Sequence, residues 1–135
     1  MPVDVDTLRR LFRNLEDFHI LVQETGIYVI PGEVEGEEWS YFDLRYLFDE
    51  SQIRLPVRQA QAIRFFLVGQ QREEDVAVMM GLKPTNPIGM YATTGLTRIV
   101  SWIEEGELPR YKAEARHAHE VRGTQGSGGR GRRVA

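Results

Sequence analysis

Residues 73–82 read Glu-Glu-Asp-Val-Ala-Val-Met-Met-Gly-Leu, and this stretch contains the spacing that decides the fold. A helix-turn-helix requires a small residue midway along its first helix, because the second helix packs closely there. It also requires a glycine four residues later, where the turn takes a left-handed backbone. Ala77 and Gly81 have this spacing, and Val76 and Leu82 are apolar at flanking positions. The stretch therefore predicts a short helix that ends in a tight turn.

A long second helix is expected from about Pro87 to Glu105. Asn86 is a suitable N-cap, proline suits a first helical turn, and Gly106 can end the helix. Residues 83–87 contain two prolines, which lengthen the turn before it. The apolar residues recur at helical spacing and predict one buried face. They are Ile88, Ala92, Gly95, Ile99 and Ile103.

Three further helices and a minor strand pair are expected upstream. One amphipathic helix spans Asp4 to Glu24, and it either faces the core or pairs with a partner or a second copy of the chain. The next helix begins at Ser40 and ends near residues 49–51, and the third covers 56–68. Ile27–Ile30 is a short β-prone run. The carboxylates that follow it, Glu33, Glu35, Glu37 and Glu38, lack the spacing of a calcium loop and indicate a solvated acidic turn.

The segments Leu55–Ile63, Gly69 and Glu74–Leu82 together resemble region four of bacterial sigma factors. That family typically shows a Leu-Pro-x-Arg-Gln opening, a glycine, a Glu-Ile-Ala-like triad and a Leu-Gly-Ile-like turn. The resemblance covers about Leu55 to Glu105. With residues 85–87 and 90–96 included, the chain also resembles small helix-turn-helix proteins of viruses that infect actinobacteria. Its preference for arginine over lysine fits such a source.

The resemblance implies that the second helix reads double-stranded DNA and that the module docks on RNA polymerase. Asn and Thr can contact adenine or thymine edges, and Arg can contact guanine or a phosphate. Carried over residue by residue, the reading surface is Thr85, Asn86, Met90, Thr93, Thr94, Thr97 and Arg98. Arg58 and Lys83 would hold phosphates. Residues 54–105 carry a net charge of only +1, which is low for a DNA-binding module.

The charge of the chain divides at residue 108. Residues 1–108 carry 10 Lys and Arg against 18 Asp and Glu, whereas residues 109–135 carry 7 against 2. The segment 123–135 has five glycines and too few apolar residues to fold, so we expect a disordered basic tail. Arg130, Arg132 and Arg133 either contact nucleic acid without sequence preference or only make the tail soluble.

Composition and motifs exclude several classes of protein. A chain of 135 residues without cysteine makes about one domain and has no thiolate chemistry or Cys-ligated zinc. No signal peptide or membrane span is present, so we expect a cytoplasmic protein. His117 and His119 are two positions apart and point away from each other on a helix, so no shared metal is expected. No catalytic motif or phosphate loop stands out, so we expect neither an enzyme nor a cofactor.

We therefore expect an all-α protein with an N-terminal helical region at 1–54, a helix-turn-helix module at 55–108 and a basic tail at 109–135. The expected function is transcription regulation through DNA binding, acting with a host RNA polymerase. Two alternatives remain open. The module could dock on polymerase or another host complex without specific DNA binding, or it could be the DNA-recognition subunit of a phage packaging machine. A homo-oligomer formed through the N-terminal helix is also open.

Overall fold

The computed structural model describes residues 3–30, 32 and 38–108, and the predicted tail lies outside them. The described chain is mostly helical with one two-stranded antiparallel sheet, as expected. Its elements are α1 (Val5–Arg13), α2 (Leu15–Thr25), β1 (Val29–Ile30), β2 (Trp39–Ser40), α3 (Tyr41–Arg54), α4 (Val57–Gln61), a π-helical segment (Ala62–Val68), α5 (Glu73–Met79) and α6 (Ile88–Glu104). None of these helices has the length and apolar content to cross a membrane.

The expectation of one N-terminal helix is wrong, because the helix breaks at Asn14. This residue has φ −103° and ψ 11°, outside the helical region, and α1 and α2 meet there. Its side-chain amide donates to the carbonyl of Arg10 at 2.9 Å. Such a local bond competes with the backbone ladder of a helix. The predicted ends hold: Asp4 accepts a hydrogen bond from the Thr7 amide at 2.7 Å, and Gly26 ends α2 with φ 77°.

The sheet and α3 form the next layer. Val29 pairs with Ser40 and Ile30 with Trp39, and the Ser40 hydroxyl then caps α3 by accepting from the Phe42 amide at 3.2 Å. The expectation that α3 ends at residues 49–51 is wrong, since α3 continues to Arg54. Nothing in that acidic stretch breaks a helix, whereas the proline at position 56 disfavours helical backbone at the residue before it. α3 packs on α1 and α2.

The third predicted helix is present, but its second half has a different geometry. α4 begins at Val57, after Pro56, and from Ala62 onward the chain follows π-helical bonding. At its end the amide of Gly69 donates to the carbonyl of Arg64, five residues earlier, at 2.9 Å. Ile63 and Leu67 of this segment are fully buried. The wider turn is followed by Gln70 with φ 54°, which redirects the chain toward α5.

One hydrophobic core joins the N-terminal helices to the predicted helix-turn-helix region. α6 lies at its centre and contacts α1, α4, the π segment and α5. α6 approaches its neighbours closely at Gly95, where an added Cβ would lie 2.9 Å from Cδ1 of Ile63. The glycine therefore lets α6 and the π segment pack closely. This packing fixes which face of α6 remains exposed.

Candidate nucleic-acid interface

The turn after α5 has the geometry expected from the spacing of Ala77 and Gly81. Gly81 has φ 78°, in the left-handed region, and Ala77 is fully buried. The amide of Leu82 donates to the carbonyl of Ala77 at 2.8 Å, and that of Gly81 donates to Val78 at 3.0 Å. These two bonds form a Schellman motif, which ends a helix and reverses the chain. The backbone prediction at this turn is confirmed.

The expectation that Asn86 caps α6 is wrong. Pro87 occupies the cap position, without a side-chain cap bond, and the first helical residue is Ile88. The Asn86 side chain instead donates to the carbonyl of Lys83 at 3.1 Å and accepts from the Tyr91 hydroxyl at 3.3 Å. Asn86 therefore stabilises the long turn, while Thr85 and Lys83 are exposed on it.

One face of α6 is buried and the opposite face is exposed. The buried face consists of Ile88, Ala92, Gly95, Leu96 and Ile99. On the opposite side, Met90, Thr94, Thr97 and Arg98 are exposed. Thr97 donates its hydroxyl to the carbonyl of Thr93 one turn earlier, at 2.9 Å, so its lone pairs point outward. We call these four side chains the α6 stripe; they include most of the predicted readers.

A row of arginines borders one flank of the α6 stripe. Arg98 lies on the same side of α6 as Tyr91 and Trp102, because steps of seven and four residues return to one face. The guanidinium carbon of Arg58 is 5.9 Å from the Tyr91 ring centre, and that of Arg54 is 6.0 Å from the Trp102 ring centre. Packing of α4 and the end of α3 against α6 thus places three arginines along one flank.

The other flank of the stripe carries a contact that the sequence analysis missed. Thr93 is half-buried, and its hydroxyl accepts a hydrogen bond from Nη2 of Arg9 at 2.7 Å. The other terminal nitrogen of Arg9 forms an ion pair with Asp6 at 2.6 Å. α1 therefore supplies a cation beside α6, although the two residues are 84 positions apart. No local feature of the sequence indicates this contact, because it depends on how α1 packs on α6.

The N-terminal end of α6 carries a carboxylate. Oε2 of Glu73, from the first turn of α5, accepts a hydrogen bond from the Gly89 amide at 2.6 Å. A helix N-terminus attracts anions, so Glu73 occupies a place that a DNA phosphate could otherwise take. From the sequence alone, Glu73 is expected only to lie in the short helix that precedes the turn. Its bond to α6 ties the beginnings of both helices together.

Two of the five cations around α6 are already paired. Arg9 pairs with Asp6, and Arg54 pairs with Glu50 at 3.1 Å. Within the described residues, no ion pair involves Arg58, Arg98 or Lys83. Exposed pairs are weak and exchange with other partners at little cost, so the paired arginines remain available to phosphates.

The structure thus brings together Arg58, Met90, Thr94, Thr97 and Arg98 of the predicted site. Lys83 and Thr85 lie on the turn before α6, and Asn86 and Thr93 are engaged within the chain. Arg130, Arg132 and Arg133 lie outside the described residues. No cluster of His, Asp and Glu suited to a metal ion occurs in the described part of the chain. Comparisons with protein-family models, with curated proteins and with solved structures found no match.

Proposed function

We propose that this protein binds double-stranded DNA through the α6 stripe and regulates transcription. The observation that carries the proposal is the exposed polar stripe opposite the buried face of α6, with arginines on both flanks. The major groove admits one α-helix, whose outward side chains reach base edges while neighbouring cations hold the phosphates on either side. Arginines on two separate elements, α1 and α4, suit this arrangement.

The residues take distinct roles in this proposal. Arg98 reads a base or anchors a phosphate at the edge of the contact, and Met90, Thr94 and Thr97 meet base edges. Arg58, Lys83 and Arg9 hold the phosphate backbone, whereas Asn86 and Thr93 position the turn and Arg9. The exposure of Arg98 supports its role, since a side chain buried against the N-terminal helices could not reach DNA.

The sigma-like sequence features extend the proposal to a partner. Because Leu55–Glu105 resembles a promoter-reading module, we propose that the protein acts with the RNA polymerase of a bacterial host, in the cytoplasm, as a phage-borne regulator. Arg130, Arg132 and Arg133 would add contacts without sequence preference. Deleting residues 123–135 should then weaken DNA binding and reduce its dependence on salt.

The proposal is tested by titrating duplex DNA at two salt concentrations, about 50 mM and 200 mM, followed by fluorescence anisotropy. Arg98→Ala is compared with Arg64→Ala. Arg64 is an exposed arginine on the π segment, beside Phe65 and away from the α6 stripe. On a sequence selected from a random pool, Arg98→Ala should cost about 1–3 kcal/mol and relax the preference at one base position. Arg64→Ala should bind as the parent does.

A second candidate is docking on polymerase without specific DNA binding. The Glu73 carboxylate at the start of α6 favours it, because this end would enter a groove first and would meet phosphate with like charge. Absence of salt-sensitive DNA binding, together with equal behaviour of Arg98→Ala and Arg64→Ala, would select this candidate instead.

A further inference from the structure

The centre of the α6 stripe carries apolar groups in place of charged ones. Met90 is 60% exposed, and it is the one large apolar side chain of α6 that is exposed to this extent. Thr94 and Thr97 follow it at steps of four and three residues, so the three side chains lie on one line along the helix. None of the three carries a charge or an amide group. Arg98 lies beside this line, at the edge of the stripe.

The three side chains on this line can form few hydrogen bonds with a ligand. The Thr97 hydroxyl donates its proton to the carbonyl of Thr93 at 2.9 Å, so only its lone pairs remain for other partners. Met90 has no N–H or O–H group, and its thioether is a weak acceptor. The line therefore offers at most one donor, the Thr94 hydroxyl, together with two threonine methyl groups and a thioether.

These groups match one kind of base pair in the major groove better than the other. A guanine presents two acceptors, N7 and O6, which are paired best by the two donors of an arginine or a lysine. Against Met90 or Thr97 those acceptors would lose water without gaining a partner, which is costly. A thymine presents its 5-methyl group, which packs against methyl and thioether groups, and the Thr97 oxygen can accept from N6–H of the paired adenine. The line therefore favours thymine–adenine pairs.

Resting on the proposed DNA binding, we propose that the centre of the α6 stripe selects its DNA site by the 5-methyl groups of thymines. The seven residues from Met90 to Thr97 span about 10 Å of helix, which corresponds to about three base pairs at 3.4 Å each. The site therefore contains a run of thymine–adenine pairs of about that length. Arg98, the one cation of the stripe, meets guanine or a phosphate at the edge of this run.

The test compares thymine with uracil, which lacks only the 5-methyl group. The full chain is titrated with the duplex selected from a random pool and with duplexes in which single thymines are replaced by uracil, followed by fluorescence anisotropy. Within the run that faces α6, each uracil should weaken binding about fourfold, the factor that burial of one methyl group gives. Uracil in place of thymines outside that run should leave the affinity unchanged.

Thr94→Ser makes the corresponding change in the protein, because it removes a methyl group and keeps the hydroxyl. It should weaken binding to the thymine duplex and have less effect on the uracil duplex, since the two methyl groups contact each other and their contributions are coupled. Thr25→Ser is the matched control, because Thr25 is exposed at the end of α2 and does not lie on α6. It should bind both duplexes as the parent does, and circular dichroism should show that all variants are folded.

The outcomes separate this inference from the proposed function. Equal affinity for the thymine and uracil duplexes, in a protein whose Arg98→Ala variant still loses its preference at one base position, would overturn the inference and leave the proposed function in place. Thr94→Ser that weakens binding to both duplexes equally, or a selected site with guanine–cytosine pairs facing the stripe, would also overturn it. Absence of salt-sensitive DNA binding would overturn the proposed function, and the inference with it.

Discussion

Replacing Glu73 by alanine is expected to move stability and DNA affinity in opposite directions. The substitution removes the bond between the Glu73 carboxylate and the Gly89 amide, 2.6 Å long, which joins the beginnings of α5 and α6. It also removes a negative charge from the end of α6 that would approach DNA and leaves that amide without its acceptor. Glu74→Ala is the control, since Glu74 lies in the same first turn of α5 and no such bond to α6 involves it.

The magnitudes follow from the geometry. Both substitutions lose a favourable interaction with the N-terminus of α5, about 0.3–1 kcal/mol each. Glu73→Ala additionally loses a hydrogen bond to a charged group, which contributes about 1 kcal/mol at an exposed site of this kind. Removing a carboxylate about 8 Å from a phosphate relieves about 0.5 kcal/mol in water, which is roughly a twofold gain in affinity for each such phosphate.

Urea denaturation measures the first effect, and duplex DNA titration under conditions where every variant is folded measures the second. Glu73→Ala should be about 1 kcal/mol less stable than Glu74→Ala and should bind DNA more tightly. Equal stability of the two variants would mean that the link between α5 and α6 is not formed in solution. An unchanged DNA affinity in folded Glu73→Ala would mean that the start of α6 does not face DNA, and a loss would mean that the bond to Gly89 positions α6 for binding.

Three further predictions concern the stability of the fold. Gly81→Ala should lower the free energy of unfolding by about 1 kcal/mol, because an L-residue is strained at φ 78° although its Cβ meets no atom within 4 Å. Gly106→Ala, at φ 80° in equally open space, should lower it by the same amount without affecting DNA binding. Gly95→Ala should destabilise the protein by about 1–2 kcal/mol, and Ile63→Val should relieve part of that cost by removing the nearest of the three atoms that the new Cβ meets. A gain in stability, or an unrelieved loss, would contradict the close packing. Hydrogen bonds from the Thr7 amide and hydroxyl lower the pKa of Asp4 below 3.8. Asp4→Ala should therefore destabilise the protein above pH 3.8, and the difference in stability between parent and variant should vanish as acid protonates the parent carboxyl.

The local features of the fold could be predicted from the sequence, and the contacts between distant elements could not. Gly81 was predictable because its role depends on residues within one helical turn. The break at Asn14 was missed because the apolar stripe continues through it, and periodicity does not register a single side-chain bond to the backbone. The extension of α3 was missed because the acidic stretch at residues 49–51 was taken as the end of the helix.

The site was predictable to a similar extent. Helical spacing alone separates Thr94, Thr97 and Arg98 from the buried face of α6, and the structure exposes all three. The contact of Arg9 with Thr93 depends on how α1 packs on α6, and that packing leaves no trace in the local sequence. Glu73 was assigned to the helix that contains it, because nothing in the sequence indicates that its side chain reaches Gly89.

The contact between α1 and α6 also determines when folding can be completed during synthesis of the chain. The first helix described has part of its partner surface near the other end of the described residues, so α1 cannot complete its packing until α6 has been synthesised. During translation the N-terminal helices therefore remain partly exposed while about eighty further residues leave the ribosome. Contacts of such sequence separation close the slowest loops in folding. The flank of α6 that carries Arg9 is accordingly among the last parts of the molecule to form.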